Sequence, residues 1–159
     1  MRAILDTNIL CSALITPGGP TDRLYRSWRE GRFQLLTSEE QLEEFRRVTR
    51  YPHLRPFIEP AAAGAMYNEL RRLAILLETL PVIDASKDPG DNFLLAMAQA
   101  GEADVLVTGD KQDLLSLKIF QRTRIITARR FLTQLSDKAK RKPKRSVTVA
   151  RRRKRKKPR

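Results

Sequence analysis

Asp6, Glu44, Asp91 and Asp110 are acidic residues spaced so that one sheet edge could gather them. Asp6 directly follows the apolar run Ala3-Ile4-Leu5, and Asp110 lies just beyond Val105-Leu106-Val107-Thr108. If both runs are strands of one parallel sheet, their carboxyl ends share an edge, and ligands of such sheets settle there. Asp91 falls in the first turn of a helix opened by Asp88-Pro89-Gly90, and Glu44 in the second turn of another, so both stand where a helix begins above that edge. At about 100° per residue, Glu44 flanks the apolar arc of Leu42, Phe45 and Val48, while Glu39, Glu40 and Glu43 point away from it.

Carboxylates crowded into one cleft repel one another, so the cluster is tolerable only if it is protonated or met by a cation. An all-oxygen donor set selects Mg2+ or Mn2+ over zinc, and a single cysteine (Cys11) and a single histidine (His53) remove the usual zinc alternative. Such a metal activates water and stabilises charge on a phosphate. His53 alone cannot serve a histidine-pair ribonuclease, which needs one imidazole as base and another as acid. Each acid also has a structural reading: Asp88 as a helix cap, Asp91 as a favourable charge at a helix start, Asp110 as a turn residue and Glu44 as a solvated side chain. Asp6 resists that treatment, because a carboxylate directly after a buried strand is costly without a partner. The chemical reading therefore rests on convergence.

The elements that must bring these residues together are short apolar runs alternating with helical patterns. Residues 3–5, 33–36, 82–83, 105–107 and 125–126 read as strands, and the alternation predicts an α/β fold with a parallel sheet. Pro20-Thr21-Asp22 opens a helix carrying Leu24, Tyr25 and Trp28, with Gly31 placed as its terminating glycine. Ser38 and Gln41 form a capping-box pattern before the helix of Leu42, Phe45 and Val48. The spacing of Met66, Leu70, Leu73, Ala74 and Leu77 predicts a helix over 60–77, and another runs from Asp88 to Gly101. Cys11 and Trp28 read as core residues, and Pro17-Gly18-Gly19-Pro20 as a connecting turn, since no Gly-Lys-Ser/Thr follows it.

In the order in which they occur, Ile4-Leu5-Asp6-Thr7-Asn8-Ile9-Leu10, Ser38-Glu39-Glu40-Gln41-Leu42-Glu43-Glu44-Phe45, Asp88-Pro89-Gly90-Asp91-Asn92 and Val107-Thr108-Gly109-Asp110-Lys111-Gln112-Asp113-Leu114-Leu115 resemble the PIN-domain nucleases, most closely the VapC-type toxin branch, over about residues 2–135. The resemblance implies a three-layer α/β/α fold with sheet order 3-2-1-4-5. It also implies metal binding by Asp6, Glu44, Asp91 and Asp110, support from Asn8 and Thr108, and outer positions for Asp88 and Asp113. Asn8 would orient Asp6 or a bound water, and the Thr108 hydroxyl would hydrogen-bond within the site. The implied activity is hydrolysis of single-stranded or looped RNA by a toxin that forms homodimers and pairs with an antitoxin.

At 159 residues and 41% hydrophobic content the chain suits one domain. Its net charge of +14 belongs entirely to the end: residues 138–159 hold fourteen Lys or Arg and no acid, whereas residues 1–137 balance 18 basic against 18 acidic groups. The division is therefore a nuclease-like body, 1–137, and a disordered basic tail, 138–159. The tail is expected to bind RNA or ribosomal surfaces through charge, and without aromatic residues it reads no bases. The lone cysteine and the lack of a signal-like or membrane-length apolar stretch point to a cytoplasmic chain. Two rival readings remain: a PIN-like RNA-binding or RNA-processing protein with a weak or silent site recruited by its tail, and a phosphoryl-transfer protein in which Asp6 is itself phosphorylated. The second is disfavoured by Asn8, where a dehalogenase-like site would carry another aspartate.

Overall fold

Strict alternation along four short strands explains how the sheet is covered on both faces. In β1 (Arg2–Leu5), Ala3 and Leu5 face one core and Ile4 the other; in β4 (Val105–Val107), Val105 and Val107 share the first core and Leu106 the second. β2 (Gln34–Ser38) divides in the same way between Leu35 and Leu36, and β6 (Thr123–Ile126) between Ile126 and Ile125. A strand buried on both sides needs apolar residues at successive positions, which is why these segments read as continuous runs. The computed structural model describes residues 1–109 and 112–141.

On the first face lie α1 (Thr7–Ile15), α2 (Pro20–Arg29), α3 (Glu39–Val48), α4 (Pro60–Leu73) and α7 (Ala128–Arg141), which supply Leu10, Trp28, Phe45, Leu70 and Phe131 to the larger core. On the second lie α5 (Asn92–Ala100), contributing Leu94, Leu95, Met97 and Ala98, and the single turn α6 (Leu114–Leu117). The result is the expected three-layer arrangement. The order is β3-β2-β1-β4-β6-β5, where β3 is Ile75–Leu77 and β5 is Ile119–Phe120. All neighbours are parallel except β5, which pairs antiparallel with β6. The five parallel strands thus follow the implied order, and a two-residue edge strand is added to it.

Three details depart from the sequence reading. The helix over 60–77 stops at Leu73, and Ile75–Leu77 forms β3, leaving 82–83 outside any strand with Val82 100% exposed. Leu70, Leu73, Ala74 and Leu77 keep helical spacing, but Ile75 and Leu77 also alternate with exposed Leu76, and pairing with β2 decides between the two periods. At the other end, α7 continues through Arg141, so Lys138–Arg141, assigned above to the tail, are helical. Leu135 anchors the preceding turn in the core, and Lys138, Lys140 and Arg141 suit the negative end of a helix. The rest of the basic segment, 142–159, lies outside the described residues. The third departure, at Gln41, belongs to the site.

Gly31 does terminate α2, at φ +75°: its amide donates to Trp28 O and that of Arg32 to Ser27 O, the double closure that favours glycine. The Pro17–Pro20 stretch is a turn closed by Gly18 N donating to Asp22 Oδ2 at 2.7 Å, and Cys11 and Trp28 are buried as expected. At the amino edge of the sheet Asp104 is a purely structural acid. The backbone amide of Arg2 holds its carboxyl below the usual range, burial opposes this, and the Arg122 guanidinium adds to the lowering.

Candidate metal centre

Register places the first site residue. Leu5 pairs with Val107, the Asp6 amide continues the ladder to Val107 O at 2.9 Å, and the Thr108 amide bonds Ile126 O at 3.1 Å. Asp6 and Thr108 therefore leave adjacent strands at the same level, and the Thr108 hydroxyl donates to Asp6 Oδ2 at 2.8 Å. Both are buried, at 6% and 0% exposure. Asp6 is also the N-cap of α1: its Oδ1 lies 3.5 Å from the Asn8 amide. It is the backbone of Asn8 that reaches Asp6, while the Asn8 side chain is exposed and borders a groove.

Glu44 is half-buried, whereas Glu39, Glu40 and Glu43 are exposed, in keeping with the helical-wheel argument. The Thr7 hydroxyl donates to Glu44 Oε2, which ties the first turn of α1 to the second turn of α3. Asp6 and Glu44 act on a common neighbour: burial first, then Glu44, then Asp6 push the Cys11 thiol up to about 12. Cys11 is thus a neutral core thiol at physiological pH, without the thiolate character needed for redox chemistry.

Gln41 is the residue that sequence reasoning misassigned. Ser38 Oγ accepts from the Gln41 amide at 3.2 Å, so half of the capping box forms. The Gln41 side chain turns inward instead of back along the helix: Nε2 donates to Leu5 O at 2.6 Å and Oε1 accepts from Thr37 Oγ1 at 3.0 Å. It pins α3 to the carbonyl just before Asp6. No local pattern announces this, because Leu5 is 36 positions away. Gln41→Leu should cost about 2 kcal/mol in urea unfolding, since it leaves a buried carbonyl and a buried hydroxyl without their partner. A change under about 0.5 kcal/mol would mean the side chain is dispensable.

Asp88, Asp91 and Asp113 form the second acidic group. One carboxylate oxygen from each lies within 4.8 Å of the other two, the only such group among the described residues. Asp88 also accepts from the Gly90 amide at 2.9 Å and caps the short turn Pro89–Asp91, so its capping role and its place in the cluster coexist. That turn is held by Asn92, whose Oδ1 accepts from the amides of Ala85 and Ser86. Asp91 Oδ2 is buried, and Asp113 follows β4 just before α6. Thus Asp88 and Asp113, given outer positions by the resemblance, join Asp91, while Asp6 and Glu44 are not members of this group. Asp110 lies outside the described residues.

The donor chemistry fits a hard divalent cation. Opposed oxygens around Mg2+ stand about 4 Å apart, within the spread of the Asp88, Asp91 and Asp113 oxygens, and all three donors are carboxylates.

A family model described as PIN domain matches residues 2–112, and the chain belongs to the PIN-domain family. PIN domains are in general metal-dependent nucleases. The Uncharacterized protein MJ1680 of Methanocaldococcus jannaschii is 30% identical over 127 residues, covering 74% of this chain and 76% of the relative. Among solved structures, the crystal structure of FitAcB from Neisseria gonorrhoeae is similar to 79% of this chain and 97% of that chain, with a TM-score of 0.48 and 12% identity. No helix among the described residues is long and apolar enough to cross a membrane.

Proposed function

We propose that this protein is an endoribonuclease dependent on Mg2+ or Mn2+, acting on single-stranded or looped RNA as the toxin of a toxin–antitoxin pair. The observation that carries the reading is the meeting of the Asp88, Asp91 and Asp113 carboxylates within 4.8 Å of one another, and the buried, hydrogen-bonded Asp6 at the end of β1 supports it. Asp91, with Asp88 and Asp113 beside it, would hold the cation, and Asp6, Glu44 and Asp110 complete the acidic set by family resemblance. When bound, a hard cation supplies Lewis acidity, offsetting charge on the phosphate and making a proton of water easier to remove. The chain's own contribution is positional. Thr108 fixes one oxygen of Asp6, Thr7 fixes Glu44, and Gln41 holds the strand end from which Asp6 projects. Burial of Asp6 and Thr108 keeps water away from the bond between them.

The basic segment is the proposed delivery device. Its fourteen cationic residues gather polyanions without selecting bases, raising local RNA concentration around a neutral body. Homodimer formation, an antitoxin partner and a cytoplasmic location belong to the same proposal and rest on the family resemblance.

The direct experiment is cleavage of single-stranded RNA by the purified full chain. Cleavage is expected in Mg2+ or Mn2+ and should fall to background in excess EDTA; activity that survives chelation rules the metal mechanism out. Induced expression in a bacterial host tests the toxin component, with growth arrest expected from the parent and none from an Asp6→Asn variant.

A further inference from the structure

Beside the acidic site runs a groove of about 370 Å³ with a different chemistry. One wall is the α1 face from Asn8 to Ile15; the other comprises Val48 at the end of α3 and then Tyr51, His53 and Leu54. Its position follows from helical geometry. Asn8 is the residue whose amide meets Asp6, and Val48 stands one turn beyond Glu44, so the groove begins at the Asp6–Glu44 end of the site and leads away from it.

The far end is an aromatic ledge. The rings of Tyr51 and His53 stack with centroids 5.8 Å apart at 29°, and both residues are exposed. The ledge is held by successive turns: Tyr51 N donates to Val48 O, Leu54 N to Tyr51 O and Ile58 N to Leu54 O, and Ile58 is buried. The surrounding segment is cationic. Between Phe45 and Ile58 it contains Arg46, Arg47, Arg50 and Arg55 and no acid, and Arg50 and Arg55 border a second cavity of about 480 Å³.

An exposed stacked pair, an open slot and a run of arginines are what an unstacked base with its flanking phosphates requires. We propose that this groove is a nucleobase subsite. It receives one base of single-stranded RNA whose backbone passes the Asp6–Glu44 end, stacks it against the Tyr51–His53 ledge, and leaves the neighbouring phosphates to Arg50 and Arg55. The inference rests on the RNA-nuclease reading and deepens it: the basic tail has no aromatic ring to offer a base, whereas the body offers the Tyr51–His53 pair.

The test compares binding of two fluorescent dodecameric probes to the full chain, in chelator and at moderate salt: an oligouridylate and an abasic ribose-phosphate strand of equal charge. The parent should prefer the base-bearing probe by about tenfold. Tyr51→Ala combined with His53→Ala should erase that preference while leaving affinity for the abasic strand unchanged, and Tyr51→Phe should retain it. Equal binding of both probes by the parent overturns the subsite. Full preference in the double variant overturns it too, and would assign the groove to a protein partner instead. Cleavage in Mg2+ is scored separately. Cleavage without base preference removes the subsite alone, and base preference without cleavage removes the nuclease reading alone.

Discussion

Asp91→Asn should weaken Mn2+ binding by about 100-fold or more and reduce RNA cleavage at least in proportion. Disturbing even the residues behind a metal ligand typically costs 10–100-fold, and Asp91 is a direct candidate donor. One of its oxygens is buried, whereas Asp88 is exposed and already engaged with the Gly90 amide. Asp88→Asn is therefore expected to be the milder change. Calorimetric titration with Mn2+ alone measures the first effect without any RNA. If Asp91→Asn binds Mn2+ like the parent, the cluster is not the metal centre, whatever happens to cleavage.

Asp6→Asn should lower cleavage by about 10³-fold, comparable to removing a fixed electrostatic group from an active site. Its stability cost should stay within about 1 kcal/mol. Asn is nearly the same shape, can still accept from Thr108 and is itself a favourable N-cap for α1. Single-turnover cleavage and urea unfolding of the same preparation separate chemistry from folding. Parental cleavage by a folded Asp6→Asn protein would remove Asp6 from the mechanism. A large loss of stability would make its role structural.

These two carboxylates were accessible to sequence reasoning for different reasons. Asp6 was conspicuous because a charge directly after three apolar residues contradicts its surroundings, and the structure indeed places it in the interior against Thr108. Asp91 was found from its position at a helix start. The family resemblance set Asp88 and Asp113 in outer positions around it; that all three carboxylates meet within 4.8 Å depends on tertiary packing between the start of α6 and the start of α5. Gln41 shows the opposite failure. A local rule claimed it for a helix cap, while a carbonyl 36 residues away was the stronger partner for its amide. The Tyr51–His53 ledge straddles Pro52 and precedes Pro56, both loop signals, and nothing in its spacing distinguishes a stacking pair from an ordinary connection.

The amino-acid sequence by itself determined four of the parallel strands and most of the helices, the split between a neutral body and a basic end, and the all-oxygen character of the candidate donors. Those properties are set by periodicity, capping and residue type, all of which act within a few positions. Tertiary structure decided that Ile75–Leu77 is a strand, that Asp88 and Asp113 join Asp91, and that Gln41 braces Leu5. Each of these outcomes is a competition between a local preference and a contact from far along the chain. Only packing and strand register, which bring distant groups within hydrogen-bonding reach, settle such a competition.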